Sequence, residues 1–259
     1  ETIAAITRQD LVDFHAQQYS PRNLVLVVVG AVDAGKVADL VEGALGDWTT
    51  PNLAATPSFA PISAPQVEQR VHVSIAGKSQ ADIVMGTCGP KRLAPEYLAA
   101  SLGNNILGQF GMMGRIGDAV REKAGLAYYA STSVNSWIDG GSWEVSAGVN
   151  PTNIDKAIGL IIEELDRFRT EPVLQSELDD SQANYIGRLP LSLESNSGVA
   201  NSILNLERFN LGLDYLQRYP ALVKEVTPRQ ILDAAQKYID PRKLIIVSAG
   251  PQPGRKKTK

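Results

Sequence analysis

The sequence predicts an α+β fold from the order of its strand and helix patterns. Residues 67–75 and 81–88 carry short β-branched runs that are typical of strands. Residues 139–141, Asp-Gly-Gly, separate two further strand patterns and indicate a β-hairpin. Helical spacing of apolar residues then dominates from residue 154 to residue 225. Strands in one part of a chain and helices in another are characteristic of the α+β class.

Composition indicates a soluble protein with one large or two ordinary domains. The chain has 259 residues, 44% of them hydrophobic, which is enough for a substantial core. The longest apolar run, 24–29, is far shorter than the roughly 20 residues that span a bilayer, so no membrane span is expected. The single cysteine, Cys88, excludes an internal disulfide. The compartment stays open, with bacterial periplasm and cytoplasm both compatible.

The charge distribution argues against a nucleic-acid partner. The net charge is −3, and the last nine residues, 251–259, contain four cations and no acid. The rest of the chain is therefore more acidic than the total. Because prolines and a glycine precede the cations, we expect 251–259 to be a basic, disordered tail.

Residues 1–48 are predicted to form a helix, a strand and a second helix. Thr7 is a candidate helix cap, and Asp10 stands in place of the usual glutamate of a capping box. The run 24–29 predicts a strand buried on both faces or covered by helices. Helical spacing resumes over residues 32–45.

A proline-rich segment, 49–66, follows and predicts an extended linker between domains. Beyond it, residues 67–250 contain the strands already described and a helix near 95–107. Further helical patterns cover 154–168, 174–188, 196–211 and 213–225.

The end of the chain repeats its beginning at a constant offset of 220 residues. Ile6-Thr7, Leu11, Pro21-Arg22, Leu24-Val25 and Gly30 align without gaps with Val226-Thr227, Ile231, Pro241-Arg242, Leu244-Ile245 and Gly250. Chance recurrence of a helix, a proline turn and a strand is the alternative, but the aligned prolines and glycines favour duplication. Residues 1–48 would then be the C-terminal piece of a preceding unit, and 67–250 a complete one.

The chain has no motif of a self-contained enzyme. His15 and His72 have neither a second histidine nor an acidic residue at metal-site spacing, so no metal is expected in this chain. We expect both imidazoles to have surface or hydrogen-bonded structural roles. No nucleophile elbow, Walker loop or Cys/His nucleophile arrangement is found.

The stretch 108–129 carries the candidate site. Gly108, Gly111 and Gly114 precede a short amphipathic helix, and Gly125 ends it. Because the loop lacks Lys-Ser/Thr and a preceding strand, a phosphate cradle is a weak interpretation. A backbone-exposing loop at a cleft and tight packing at a helix start are equally open.

Arg121 and Tyr128 flank that helix end. A cation in the last helical turn is stabilised by the helix dipole without any function, and a tyrosine in a strand is equally easily a cross-strand residue. Composition and spacing alone favour this structural account. In the functional alternative the guanidinium and the phenol donate hydrogen bonds to a substrate carbonyl or its oxyanion.

Two stretches, 6–30 and 120–128 (Val-Arg-Glu-Lys-Ala-Gly-Leu-Ala-Tyr), resemble the pitrilysin-type (inverzincin) zinc metallopeptidase family, M16. The family includes processing peptidases and the core proteins of the cytochrome bc1 complex. The resemblance implies duplicated two-layer units of the LuxS-like metallohydrolase fold, each with a mixed, largely antiparallel sheet covered by helices. It also implies that two halves enclose a chamber for peptides.

The resemblance implies that this chain is the non-catalytic half. The catalytic unit carries His-x-x-Glu-His and binds zinc, and this sequence lacks that motif. In the family the other half supplies an arginine and a tyrosine seven positions apart, which Arg121 and Tyr128 match. The resemblance therefore favours the functional reading of this pair. The family's Ser-Arg-Leu pattern appears here as Gly114-Arg115-Ile116, which is a departure in the loop expected to bind peptide.

Two functions follow as expectations. In the first, the chain binds extended peptide and completes a zinc site held by a catalytic unit, in the same polypeptide or in a separate subunit. It would then be inactive alone. In the second, it is a structural or interaction subunit without a peptidase role, like the bc1 core proteins. A homodimer through residues 1–48 is a further expected partner, because an unpaired apolar strand tends to associate.

Overall fold

The computed structural model describes residues 2–51, 53–55, 60, 62–109 and 114–251. Its α-helices are α1 Thr2–Ala5, α2 Arg8–Gln18, α3 Ala34–Leu45, α4 Tyr97–Gly108, α5 Gly114–Gly117, α6 Ile154–Thr170, α7 Gln175–Ser192, α8 Asn196–Arg208, α9 Tyr215–Lys224 and α10 Pro228–Tyr238. Its strands are β1 Gln69–Ser74, β2 Ala81–Cys88, β3 Ala127–Ser136, β4 Gly141–Val149 and β5 Ile245–Gly250. Within these ranges, no helix combines the length and the apolar composition that crossing a lipid bilayer requires.

The chain divides into two compact units. One contains Glu1–Ala60 and Leu189–Tyr215, and the other contains Pro61–Arg188 and Leu216–Lys259. The division falls inside the proline-rich segment 49–66. It differs from the sequence-based boundaries in grouping 189–215 with the N-terminal residues. The basic tail expected at 251–259 lies almost wholly outside the described residues.

The second unit contains a five-stranded sheet in the order β1-β5-β2-β4-β3. β1 and β5 are parallel, and every other neighbouring pair is antiparallel. The hairpin predicted around residues 139–141 is β3–β4, with Ser136 opposite Gly141. A mixed, largely antiparallel sheet with helices confirms the α+β class.

Side-chain alternation directs one face of the sheet into the core. Along β2, Ala81, Ile83 and Met85 are buried, whereas Val84 between them is 44% exposed. The buried residues join one hydrophobic cluster with apolar side chains of α4, α6 and α10. The helices therefore cover one face of the sheet, as the period of two predicts.

Residues 24–29 do not form the predicted strand. They have no strand pairing, and Leu24, Val25, Leu26 and Val28 are each about half exposed. The prediction of a buried strand was wrong for a physical reason. A β-branched sequence favours an extended backbone, but its N–H and C=O groups form a ladder only beside another strand.

The repeat appears in the structure as two capping boxes. Thr7 Oγ1 accepts from the Asp10 N–H at 3.2 Å, and Asp10 Oδ2 accepts from the Thr7 N–H at 2.7 Å. At the offset positions, Thr227 and Gln230 exchange the same pair of bonds at 3.3 Å and 2.8 Å. The cap predicted at Thr7 is thus part of a complete capping box, with Asp10 in place of the usual glutamate.

The two capped helices differ in what they bury, and this sets a stability test. α10 buries Ile231, Leu232, Ala234 and Ala235, whereas α2 buries no residue. We expect Thr227→Ala to lower the free energy of unfolding of the second unit by about 1 kcal/mol. Urea unfolding followed by the fluorescence of buried Trp143, with Trp48 and Trp137 replaced by phenylalanine, measures this change.

Thr7→Ala is the matched control. Because α2 contributes no buried side chain, its loss of a cap should leave the Trp143 transition unchanged. An equal shift of the urea midpoint in both variants would contradict the contrast between the two helices.

Candidate functional site

Arg121 lies on an irregular helical segment. Helix α5 continues without a break into a π-helical turn, Asp118–Lys123. Ile116 and Val120 on this segment are completely buried and anchor it in the core. The Arg121 side chain stays one-third exposed, with its Nε 3.6 Å from Oε1 of neighbouring Glu122. π-Helical turns are rare in proteins, and many of those that occur lie at functional sites.

Gly125 ends this segment in the left-handed region, with φ at +61°. Its N–H donates to the Arg121 carbonyl at 3.0 Å, and the Leu126 N–H donates to the Val120 carbonyl at 3.0 Å. These bonds satisfy carbonyls that a helix end otherwise leaves unpaired. The chain then enters β3 directly.

Tyr128 occupies a β-bulge at the start of β3. Ala127 lies opposite Val149 and Tyr129 lies opposite Gly148, so Tyr128 is the extra residue between two paired ones. Its side chain is 61% exposed on the outermost strand of the sheet. Bulges redirect side chains and are common beside active sites.

The neighbouring Tyr129 packs across β4 to reach β2. Its hydroxyl donates to Asp82 Oδ1 at 3.3 Å. A Cβ at Gly148 would lie 2.4 Å from the Tyr129 ring, so the ring can cross this strand only over a glycine. Burial, with the Asp82 carboxylate, raises the pKa of the Tyr129 phenol. Tyr129 thus ties the bulged end of β3 to the sheet, a role the sequence analysis missed.

Gly108 and Gly114 are places of close backbone approach. A Cβ at Gly108 would lie 2.4–2.6 Å from Thr132 atoms of β3. Gly114 has φ at +63°, and its Cβ would lie 2.5 Å from the Ile106 carbonyl oxygen. Both glycines therefore have a packing reason for their identity. Gly111 lies outside the described residues.

A buried polar cluster joins α4 to the hairpin next to Gly108. Asn104 Oδ1 accepts from the Trp143 indole N–H at 3.0 Å, and Thr132 Oγ1 donates to the Asn104 carbonyl at 3.2 Å. All three residues are at most 3% exposed. Unsatisfied groups at this depth would be costly, so the cluster fixes the helix against β3 and β4.

Arg115, on the first turn of the Arg121 segment, forms a partly buried ion pair. Its Nε and Nη2 donate to the two carboxylate oxygens of Glu177 at 2.8 Å and 2.5 Å. Nη1 lies 4.0 Å from Glu164, which also pairs with Arg167 at 2.7 Å. A lone arginine in a short helix gave no sign of this cluster, because its acidic partners are distant in sequence.

Arg121 and Tyr128 therefore lie on either side of the Gly125 turn, each on a backbone irregularity. A guanidinium carries five N–H donors and a phenol carries one. In the described part of the chain, the Arg121 side chain contacts Glu122, and the Tyr128 side chain is largely exposed. The two groups can donate to a carbonyl oxygen of another molecule.

The described residues do not provide a zinc site. His15 stacks on Tyr19 and Trp48, with ring centroids 5.0 Å and 6.1 Å away. His72 Nδ1 shares a 2.9 Å hydrogen bond with Ser248 Oγ. Across the described ranges, no three His, Cys, Asp or Glu side chains are grouped to hold a metal ion.

The five-stranded sheet and the helices that cover one of its faces define a two-layer α+β domain. The sequence model described as "Peptidase M16 inactive domain" matches residues 5–185. The chain belongs to the peptidase M16 inactive-domain family.

Proteins with similar sequences are named as zinc proteases. An uncharacterized zinc protease of Streptomyces coelicolor is 28% identical over 210 residues, which are 78% of this chain and 45% of that protein. The chain thus spans about half the length of the curated relatives that it matches.

Solved structures share the fold. The peptidase M16 inactive domain from Pseudomonas fluorescens has a TM-score of 0.85 and 26% identity, covering 98% of this chain and 60% of that one. A chain of Complex III2 from Candida albicans has a TM-score of 0.75 and 17% identity, covering 96% and 60%. The second likeness concerns the fold alone.

The close approach at Gly114 sets a graded stability test. Gly114→Ala combines a left-handed backbone with a backbone clash, and we expect a loss of about 2–5 kcal/mol of unfolding free energy. Gly125→Ala has the same backbone strain but open space around its Cβ, so we expect about 1–2 kcal/mol.

Gly140→Ala is the control, since the φ of that glycine lies outside the left-handed region and no atom lies within 4 Å of its Cβ position. Urea unfolding of the three variants should give the order Gly114, Gly125, Gly140 from most to least destabilised. Equal losses at Gly114 and Gly125 would show that the clash is relieved at no cost.

Proposed function

We propose that this chain is the non-catalytic half of a two-half zinc endopeptidase. In this role it binds an extended peptide and donates hydrogen bonds from Arg121 and Tyr128 to the scissile carbonyl. One observation carries the proposal: the π turn presents a partly exposed guanidinium and the β-bulge an exposed phenol, on either side of one glycine turn. A helix that ends beside a strand needs neither a π turn nor a β-bulge.

The proposed chemistry divides between two units. Zinc on the catalytic unit would polarise the carbonyl and activate water. This chain's part is to hold the peptide backbone and to donate to the oxygen on which negative charge develops. Arg121 supplies a permanent positive charge and Tyr128 a neutral O–H, and both strengthen as hydrogen-bond donors when that charge appears. Peptide binding by the segment between Gly108 and Gly114 is part of the same proposal.

Residues 1–48 have a separate part in the proposal, as the closing elements of a preceding unit. At an offset of 220 residues, α2 corresponds to α10 and residues 24–30 correspond to β5. β5 pairs with two strands, whereas 24–29 pairs with none and exposes its apolar side chains. The sheet that 24–29 would complete belongs, in this proposal, to the catalytic unit, which is in the same polypeptide or in another subunit.

Substitution of the two donors tests the catalytic role. In the assembled two-half peptidase we expect Arg121→Ala to lower kcat by about 10²–10³-fold, the usual cost of losing an oxyanion donor. Tyr128→Phe should also lower kcat, by about 10-fold or more. Cleavage of a fluorogenic peptide gives kcat and KM for each variant.

Matched controls come from the helix layer. Arg229→Ala removes an exposed arginine paired with Asp233, and Tyr238→Phe removes a hydroxyl that bonds to Glu96. Both should leave kcat within twofold of the parent. If Arg121→Ala and Tyr128→Phe also remain within twofold, neither residue has the proposed role.

A structural subunit without a peptidase role is the second candidate. The Complex III2 chain with the same fold is the observation that favours it. The placement of Arg121 and Tyr128 on irregular backbone argues against it, because a scaffold needs no hydrogen-bond donors at these positions. A His-x-x-Glu-His sequence in a preceding segment or an accompanying subunit would support the peptidase, and its absence would support the scaffold.

The apolar segment 24–29 also predicts self-association of this chain. Unpaired apolar strands pair with other chains, and residues 1–48 are the proposed contact of a homodimer. Light scattering should find dimers or larger species of the parent at micromolar concentrations. Leu26→Asp with Val28→Asp should shift the chain towards monomer, whereas the matched pair Leu191→Asp with Leu213→Asp should not.

Limited proteolysis completes this test. Residues 1–48 should be protected in the dimer and cleaved in the Leu26/Val28 variant. A monodisperse monomeric parent with a protease-sensitive 1–48 would contradict the homodimer.

A further inference from the structure

Arg115 is the most deeply buried cation of the segment that carries Arg121. Its side chain is 14% exposed, and its fork donates two parallel hydrogen bonds to Glu177 at the start of α7. Glu177 is held in turn by the Leu174 N–H, which donates to its Oε2 at 2.8 Å. Parallel N–H···O bonds between a guanidinium and a carboxylate fix direction as well as distance.

A second acid, on α6, completes the surroundings of Arg115. Glu164 is 5% exposed, lies 4.0 Å from Arg115 Nη1 and forms its closer pair with Arg167. The Arg115 guanidinium carbon also lies 6.0 Å from the centre of the Phe168 ring. The first turn of the segment is thereby tied to two long helices at once.

The charged state of the cluster is set by opposing effects. Burial raises the pKa of Glu177, but the hydrogen bonds from Arg115 and Leu174 outweigh it and leave the pKa below its ordinary value. Burial raises the pKa of Glu164, and its cationic neighbours only partly offset this. The lowered pKa keeps the Glu177 carboxylate charged near neutral pH, so Glu177 is the main ion-pair partner of Arg115.

The apolar anchors alone do not explain how the segment is oriented. Ile116 and Val120 lie one turn apart on its buried side and fix its depth in the core. A π turn has wider and less regular hydrogen bonding than an α-helix, so its direction depends on external contacts. At the first turn, Arg115 supplies directional side-chain contacts through its two hydrogen bonds to Glu177.

We propose that Arg115 is a positioning residue for Arg121, whose paired hydrogen bonds to Glu177 set the direction in which the Arg121 guanidinium points. The inference rests on the proposed role of Arg121. Arg121 lies six positions after Arg115, roughly 9 Å along a helix. A tilt of about 10° at the first turn would therefore move the guanidinium by more than 1 Å, and a displacement of 1 Å can cost about 10²-fold in rate.

A double-mutant cycle in the assembled peptidase tests this coupling. We expect Arg115→Gln to lower kcat by about 10–100-fold with KM changed less than threefold, because the donor is misdirected while the peptide contacts remain. In an Arg121→Ala background, Arg115→Gln should lower kcat by less than threefold further. Full additivity of the two effects would overturn the proposal.

Two variants separate positioning from loss of structure. Glu177→Gln keeps one acceptor oxygen but removes the charge, and it should reproduce a milder form of the Arg115→Gln effect. Arg167→Gln disturbs the same buried cluster through Glu164 without touching the Arg115–Glu177 bonds, and it should leave kcat within twofold. If Arg167→Gln lowers kcat as much as Arg115→Gln, general loosening explains the result.

A spin label gives a readout that does not depend on activity. With Cys88→Ser, a nitroxide at Arg121→Cys should show greater mobility when Arg115→Gln is added, and a label at Asp233→Cys on α10 should show no change. Unchanged mobility at position 121 in a normally folded variant would overturn the positioning role. If mobility rises but Arg121→Ala has normal kcat, the positioning stands and the proposed catalytic function fails.

Discussion

The pairing of β5 between β1 and β2 is the constraint on which the second unit depends. β5 comes from the end of the described chain, yet it is the only strand in the described sheet that joins β1 to the other three. Ile246 and Leu244 are buried because this pairing places them under the helices. The matching segment 24–29 shows the converse, since a similar sequence without neighbours stays unpaired and exposed.

The helix layer reaches the other edge of the sheet through polar contacts. Asn104 binds both Thr132 and Trp143, and Gly108 allows α4 to touch the backbone of β3. Apolar packing alone is nondirectional, whereas these buried hydrogen bonds are lost if the helix slides or rotates. These contacts therefore hold the edge strand β3 in place, together with the β-bulge at Tyr128.

The Arg121 segment combines the two kinds of support. Its apolar side chains lie in the core, and Arg115 binds α6 and α7 through charge. Desolvation offsets much of the attraction in a partly buried ion pair, but the two parallel hydrogen bonds of Arg115 to Glu177 fix direction as well as distance. Such a pair is more useful for direction than for stability.

The sequence by itself determined the α+β class, the hairpin, the helix positions and the cap at Thr7, because these depend on short-range periodicity and turn chemistry. It also singled out Arg121 and Tyr128, through spacing and resemblance. Only the tertiary structure decided that 24–29 lacks a ladder, that Tyr128 is a bulge residue and that Arg115 is bound by Glu177. Each of these depends on partners far away in sequence, whose proximity local patterns do not encode.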